Sequence, residues 1–494
     1  MRILFAATEA YPLIKTGGLG DVIHGLPVAL NKKGVDVHLV LPAYQSIMPK
    51  LDSFQIIGRF EVEGANRKHM VRVIESKFDN TEIPLLLIDV PELFERDGGP
   101  YSQPDGSDWL DNAERFSVFS RAVAKLSMDV INRGWAADIV HCHDWQTSFI
   151  PAFLHNQPAA PKTVFTIHNL AYAGLFNYET FSALGLPLEW WSPEFIEFYE
   201  NMSMLKAGII FADEVTTVSP HYAYEITTPE FGYGLDGLLR SVKHKLFGIL
   251  NGIDPQIWDP ECDIHLAENY SVEGDWKKGK QANKRALFST LGFSTTDATL
   301  QRPLLGFVGR LVEQKGIDLI LELIPYLQEH HDLAIVILGS GEEHYEQQLI
   351  VMAELYPELL SVKIGYSEQY AHLIEAASDI FLMPSRFEPC GLNQMYSQRY
   401  GTLPVVNFVG GLVDSVIDAN SENIELGCAT GFHFKRPTLE SFAAAVDRAL
   451  KLFGDKARWN TLVEAAMTQD YSWEHSSESY ISLYKTLAGS KYAN

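Results

Sequence analysis

At 494 residues and 46% apolar composition, the chain is long enough for two or more domains with large cores. Its formal net charge of −24 disfavours nucleic acid as a bulk partner, because phosphate backbones select basic surfaces, and no apolar run reaches the length of a membrane span. The 4 cysteines (Cys142, Cys262, Cys390, Cys428) are too scattered for a disulfide framework, and the opening apolar run stops at Ala7 before Glu9, Pro12 and Lys15, so the expectation is a soluble, cytoplasmic protein without a signal peptide.

The first element is a buried strand over residues 2–7. It runs through the glycine-rich turn Lys15-Thr16-Gly17-Gly18-Leu19-Gly20-Asp21 into a helix ending at Lys32, whose apolar face carries Val22, Leu26, Ala29 and Leu30. A helix start presents amides with no intrahelical partner, and glycines let a phosphate or sugar come close to them. Lys15 adds a mobile charge. A second strand, Val35–Leu41, completes a strand–helix–strand unit and implies a parallel sheet. Residues 53–90 read as an inserted or edge β region, and Arg96–Asp111 as a long loop of the kind often used for function. Asn112–Asn132 reads as a helix. Runs near Asp138–Trp145, Lys162–Asn169, Glu214–Ser219 and Leu246–Asp254 each read as a strand finishing in polar residues. In open α/β sheets ligands bind outside the carboxyl ends of the strands, so this repeated pattern marks one edge as the binding edge.

Pro255–Lys280, dense in Pro, Asp, Glu, Gly and Lys, reads as the linker and entry to a second domain. From Pro303 the alternation restarts, with strands near 304–310, 333–339, 378–383 and 403–406 and helices between them, and the tail from Leu439 is mostly helical. The expected architecture is α/β, with two doubly wound Rossmann-like domains over residues 1–254 and 255–472 facing across a cleft. Residues 473–494 are expected to form a C-terminal helix returning to the first domain.

The chain resembles bacterial glycogen synthases and plant starch synthases, retaining glucosyltransferases of the GT-B fold. The resemblance rests on the Lys15–Asp21 turn, His141-Cys142-His143-Asp144-Trp145, Thr166-Ile167-His168-Asn169-Leu170 and Asn251-Gly252-Ile253-Asp254. In the second half it rests on Gly309-Arg310-Leu311 with Gln314-Lys315-Gly316, and on Pro384-Ser385-Arg386-Phe387-Glu388-Pro389-Cys390-Gly391-Leu392. These pieces occur in family order across nearly the whole chain. The resemblance implies transfer of glucose from ADP-glucose to the non-reducing end of an α-1,4-glucan such as glycogen, with retention of configuration. It implies no cofactor and no metal. The sequence carries no signal for an oligomeric state.

Residue by residue, the resemblance implies that Arg310 and Lys315 hold the donor diphosphate, where cations gain strength as leaving-group charge grows. Lys15, Gly18 and Asp21 belong to the substrate-binding turn. The amides of Gly391, Leu392 and Asn393 take diphosphate oxygens at a helix start, and Glu388 faces the glucose hydroxyls. His168 lies beside the transferred sugar, and Asp144 is a sugar-site carboxylate on the neighbouring strand. Tyr366 stacks near the adenine and Tyr101 stands in the active-site loop. Asn169 ends the His168 strand, and Asn251 touches either substrate or hinge. Cys390 is read as a small filler beside the substrate rather than a nucleophile. Two departures from the family pattern stand out. Tyr396 occupies the position where related enzymes carry a second Glu, and Asn393 stands where bacterial synthases often have Thr.

His141 and His143 share one strand face, but no second ligand pair at suitable spacing accompanies them, and no Asp-x-Asp element is present. The alternatives are a UDP-glucose-dependent glucosyltransferase, a phosphorylase that needs a pyridoxal-phosphate lysine, and a non-catalytic glucan-binding protein, which has no use for Arg310, Lys315 and Glu388. A dehydrogenase is excluded by glycine spacing that does not match Gly-x-Gly-x-x-Gly.

Overall fold

The computed structural model describes residues 1–489; the last part of the expected C-terminal helix, residues 490–494, lies outside the described residues. The chain forms two compact units. Unit 1 comprises Met1–Gly252 with the chain from Trp473 onward, and unit 2 is Ile253–Ser472. No helix among the described residues is long and apolar enough to cross a membrane.

Unit 1 is built on a nine-stranded sheet. Its strands are β1 (Arg2–Ala6), β2 (Asp36–Pro42), β3 (Gln55–Glu63), β4 (Lys68–Lys77), β5 (Pro84–Asp89), β6 (Ile139–His143), β7 (Lys162–Ile167), β8 (Glu214–Thr217) and β9 (Leu246–Gly248). They lie in the order β9-β8-β7-β6-β1-β2-β5-β4-β3. Neighbours pair in parallel except β4, which is antiparallel to both β3 and β5. The β region expected over 53–90 thus divides: β3 and β4 form the edge, while β5 joins the parallel core beside β2. Strands covered on both faces need continuous apolar runs, and Ile3, Leu4, Phe5 and Ala6 of β1 are fully buried.

The first helix, α1 (Gly18–Lys32), carries the C-terminal helix Trp473–Ala488 on its flank. Gly25 makes this packing possible, since a Cβ there would sit 2.0 Å from Trp473 Nε1. The helix expected over Asn112–Asn132 stops at Ser127. Asp129 turns left-handed and its carboxylate accepts from Arg133 N and Gly134 N at 2.7 and 2.8 Å, a local turn that outcompetes helix continuation.

Unit 2 is built on a six-stranded, all-parallel sheet. Its strands are β10 (Leu304–Val308), β11 (Ala334–Gly339), β12 (Leu360–Ile364), β13 (Ile380–Met383), β14 (Leu403–Asn407) and β15 (Phe432–Phe434), in the order β12-β11-β10-β13-β14-β15. Helices α2 (Ile317–His330) and α3 (Asn393–Arg399) follow β10 and β13. The core gathers Leu305, Ile337, Leu382 and Val405 from the sheet with Ile320, Leu323 and Trp459 from helices. Residues 255–280 lie in unit 2 and are in part its core rather than a loose linker. Tyr270 and Trp276 are buried in the core of unit 2, and Tyr270 Oη donates to Tyr400 O at 2.7 Å.

Candidate active site

In both units the polar residues collect where strands end. In unit 1, β1 is followed by Thr8 and Glu9, and Glu9 is only 3% exposed. Its carboxylate accepts from Thr16 N at 2.5 Å, Thr16 Oγ1 at 2.6 Å, Gly17 N at 3.1 Å and Tyr101 Oη at 2.6 Å. One buried carboxylate therefore takes the amides just ahead of α1 and ties the glycine turn to the loop that carries Tyr101. Thr8 Oγ1 lies 2.8 Å from the same Tyr101 hydroxyl. Lys15 is exposed, and its Nζ pairs with Asp21 Oδ1 at 2.7 Å. Burial raises the Asp21 pKa above its ordinary value, and Lys15 opposes the rise. Gly18 opens α1 beside this pair.

At the end of β6, Asp144 adopts φ 59°, a conformation unusual for a non-glycine residue and frequent at functional sites. This points Asp144 Oδ1 at His168 N, 2.8 Å away at the end of β7. Burial pushes the Asp144 carboxyl up to about 7, and nearby Glu9 adds to the rise. His168 Nε2 lies 2.9 Å from His143 Nδ1, and burial pushes the His168 imidazole down to about 3, so it is neutral. Behind it, His141 is held well below its ordinary pKa, first by burial. Both its nitrogens are taken: Nε2 lies 2.6 Å from Thr166 Oγ1 and Nδ1 lies 2.7 Å from Tyr484 Oη. Both nitrogens of His141 thus serve hydrogen bonds, whereas His143 Nε2 is buried without a hydrogen-bond partner among the described residues. Asn169 Oδ1 accepts from Ala171 N at 3.0 Å, closing its own turn. Asn251 is 5% exposed, and its Oδ1 is buried with no hydrogen-bond partner among the described residues.

In unit 2 the loops after β10 and β13 interlock. Gly316 has φ 71°, and a Cβ on it would lie 2.3 Å from Pro384 O, so only glycine allows this approach. The contact continues through Arg386 N to Gln314 O at 2.8 Å and Gln314 Nε2 to Phe387 O at 3.2 Å. It delivers Lys315 Nζ to Glu388 Oε2 at 2.5 Å, in a pair whose side chains are 20% and 8% exposed. Ser385 Oγ donates to the same carboxylate oxygen at 3.0 Å. The loop after β14 supports Glu388 from behind: Gly411 N donates to Glu388 O at 3.1 Å, and a Cβ on Gly410 would meet that oxygen at 2.0 Å. Arg310 is exposed beside the pair and donates from Nη2 to Gln314 Oε1 at 3.0 Å.

Gly391 has φ 71° and Leu392 precedes α3. The Asn393 side chain is committed to the fold, since Nδ2 donates to Val308 O at 2.6 Å. Cys390 is buried and its carbonyl accepts from Gln394 Nε2 at 3.0 Å. Tyr366 stands 73% exposed beyond β12. Tyr396 is 7% exposed and stacks on Trp258 with ring centroids 3.8 Å apart.

Comparison with known proteins sets these groups in context. The family model described as starch synthase catalytic domain matches residues 2–241, and that described as glycosyl transferases group 1 matches residues 295–461. Glycogen synthase of Hydrogenovibrio crunogenus is 47% identical over 490 residues, spanning 99% of this chain and 100% of the relative. The chain belongs to the glycogen synthase family. Glycogen synthase of Cellvibrio japonicus is 50% identical over 487 residues, covering 98% of this chain and 99% of the relative. The solved catalytic domain of starch synthase IV from Arabidopsis thaliana, bound to ADP and acarbose, matches with a TM-score of 0.88 and 33% identity over 99% of each chain. The protein is therefore a glycosyltransferase of GT-B fold, a glycogen synthase by kinship, and the family pairs a nucleotide-sugar donor with a glucan acceptor.

The motifs read from the sequence omitted Thr8 and Glu9, and gave Gln314 and Ser385 no role of their own although both lie inside quoted motifs. Glu9 carried a usable signal, because a carboxylate directly after the first buried strand repeats the pattern of polar strand ends seen at Asp144 and His168.

Proposed function

We propose that the protein transfers glucose from ADP-glucose to the 4-hydroxyl at the non-reducing end of an α-1,4-glucan, with retention of configuration and release of ADP. The observation that carries this reading is the mostly buried Lys315–Glu388 pair, with Arg310 exposed beside it. A diphosphate leaving group needs cations fixed in place before the bond breaks, because a preorganised charge spends nothing on reorientation as the new charge develops. Lys315 is such a cation, held by Glu388, and Arg310 supplies a second. The carboxylate of Glu388 is then an acceptor for donor glucose hydroxyls. Unit 2 is the donor side in this proposal and unit 1 the acceptor side.

The bond from the glucosyl anomeric carbon to the ADP oxygen breaks, and the bond to the acceptor oxygen forms on the same face. The acceptor proton passes to the departing phosphate oxygen, so no enzyme nucleophile is required. His168 is neutral at physiological pH and serves as a hydrogen-bonding partner for the sugar, not as a proton donor. Asp144 holds the His168 backbone in place. Lys15, Gly18, Asp21, Tyr101, Asn169, Asn251 and Tyr366 are assigned to substrate contacts, as are Cys390, Gly391, Leu392 and Asn393. Asn393 acts through its amide, since its side chain is occupied. Kinship with glycogen synthases also supports a cytoplasmic location.

The test is glucose incorporation into glycogen from ADP-glucose and UDP-glucose in parallel, with Lys315→Ala and Glu388→Ala as controls. Strong turnover with ADP-glucose, lost in both variants, is expected. Turnover favouring UDP-glucose would overturn the donor assignment. Glycogen binding without transfer from either donor would indicate a binding protein instead.

A further inference from the structure

We propose that His265, Glu368 and His372 of unit 2 form a binding site for a divalent transition metal of the Zn2+ class, separate from the Lys315–Glu388 pair. One ligand atom from each of the three residues lies within 4.8 Å of the others. Glu368 opens the helix Glu368–Ala377 and His372 sits one turn later, so both side chains share a face. His265 joins them from the turn that follows Asp263.

The state of His372 distinguishes this group from an ordinary polar cluster. The residue is 1% exposed. Its Nδ1 lies 2.8 Å from Asp263 Oδ2, a carboxylate that also accepts from Tyr400 Oη at 2.6 Å. With the proton on Nδ1 committed to Asp263, the lone pair is on Nε2, and Nε2 is buried with no hydrogen-bond partner among the described residues. A carboxylate on one imidazole nitrogen, leaving the other open, is the arrangement that orients metal-ligating histidines and raises their basicity. The ring is fixed further by Trp258, which stacks on it at 3.8 Å and 11°. The backbone of His265 donates to Asp263 Oδ1 at 2.8 Å, so the same carboxylate positions both histidines.

Two imidazoles and a carboxylate suit Zn2+ and its neighbours rather than Mg2+ or Ca2+, which take oxygen ligands. Ligands at about 2.0–2.1 Å around one tetrahedral ion lie about 3.3 Å apart, so the group must contract on binding. Glu368 is exposed and His265 is borne by a turn, so both can move while His372 stays fixed. Water completes the coordination. The ion would pin the 253–270 segment to the helix Glu368–Ala377. Through Trp258, which stacks on Tyr396 of α3, it would also stiffen the element that follows Gly391.

The experiment uses the full chain carrying Cys262→Ser, so that an exposed thiol does not compete. The protein is stripped with a chelator, dialysed and titrated with Zn2+ by calorimetry, and its visible absorption is recorded with Co2+. The comparison is the double variant His265→Ala, Glu368→Gln, which leaves the buried His372–Asp263 pair intact. The expected result is one more equivalent of Zn2+ bound by the parent, lost or weakened at least tenfold in the double variant. The parent should also show an upward shift in Tm with Zn2+ and intense low-symmetry Co2+ bands that the variant lacks. Equal Zn2+ uptake by the two proteins would overturn the proposal. A parent Co2+ spectrum no stronger than that of the hydrated ion would do so as well, whatever the variant's stability.

Discussion

The hydroxyl of Tyr484, on the C-terminal helix, lies 2.7 Å from Nδ1 of His141 at the heart of unit 1. Burial keeps the tyrosine protonated and the histidine neutral. A consistent proton assignment then runs from Tyr484 O–H to His141 Nδ1, from His141 Nε2–H to Thr166 Oγ1, and on to Thr216 Oγ1 at 2.6 Å. The last helix is thus joined to the strand ends by a buried polar chain, not by apolar contact alone. Tyr484→Phe leaves His141 Nδ1 without its donor, and an unsatisfied buried acceptor costs about 1–3 kcal/mol. The expected outcome is a lower denaturation midpoint with glucosyl transfer largely retained. An unchanged midpoint in urea would show that the chain of bonds adds nothing.

A mostly buried ion pair responds asymmetrically to loss of one partner. Lys315→Ala strands Glu388, whose side chain is 8% exposed, in the site proposed for the donor diphosphate. Loss of one preorganised stabilising contact costs about 100- to 1,000-fold in turnover, and that range is expected for kcat here. Ser385→Ala removes only a neutral donor to the same carboxylate and should cost about tenfold or less. Steady-state kinetics of the two variants, side by side, check the ranking. A Ser385 variant as damaged as the Lys315 variant would assign the carboxylate's position to the hydroxyl instead.

The raised pKa of Asp144 has a definite consequence for stability. Folded, the group holds its proton up to about 7, whereas its ordinary value is 3.8. Between those values the unfolded chain binds fewer protons than the native one, so stability falls as pH rises and levels off above about 7. The penalty is about 4 kcal/mol at most, from the conversion of one pKa unit to about 1.4 kcal/mol. Asp144→Asn has no proton to lose, yet its amide oxygen still accepts from His168 N. Relative to the parent, the variant should gain stability at pH 8 but not at pH 4. Urea titrations at both values check this, because other titrating groups cancel in the difference. Parallel behaviour at the two pH values would contradict a raised Asp144.

The parts legible from sequence were those whose physics is local. Continuous apolar runs marked the parallel strands, and the Gln314–Gly316 and Pro384–Leu392 motifs located the interlocked loops of unit 2. The errors came from partners distant along the chain or from a local competitor. Residues 255–280 have a linker's composition, but Tyr270 is held by Tyr400, 130 positions away. Met128, Val130 and Ile131 continue a helical apolar pattern, while the Asp129 side chain captures the backbone that follows. Lys15 resembles a free cation until Asp21 is folded beside it. Glu9 belongs to no short motif; its place after the first strand marks it as a strand-end carboxylate, but the partners Thr16, Gly17 and Tyr101 that converge on it are set by the fold.

The packing of Gly25 against Trp473 sets two effects against each other. Alanine in place of a helical glycine gains about 1 kcal/mol of propensity. At this position, however, a methyl group would sit 2.0 Å from the indole of a tryptophan that is 3% exposed. The atoms it would meet belong to a large buried ring, which cannot swing aside as the end of a lysine can, and overpacking of this kind costs about 1–3 kcal/mol. Sterics should therefore win. Gly25→Ala is expected to lower Tm, Gly25→Val to lower it further, and both to speed proteolysis of the C-terminal helix. Intact mass after brief protease treatment identifies that helix as the released segment. A Gly25→Ala protein more stable than the parent would mean that the two helices have room between them, and that Trp473 does not anchor the C-terminal helix.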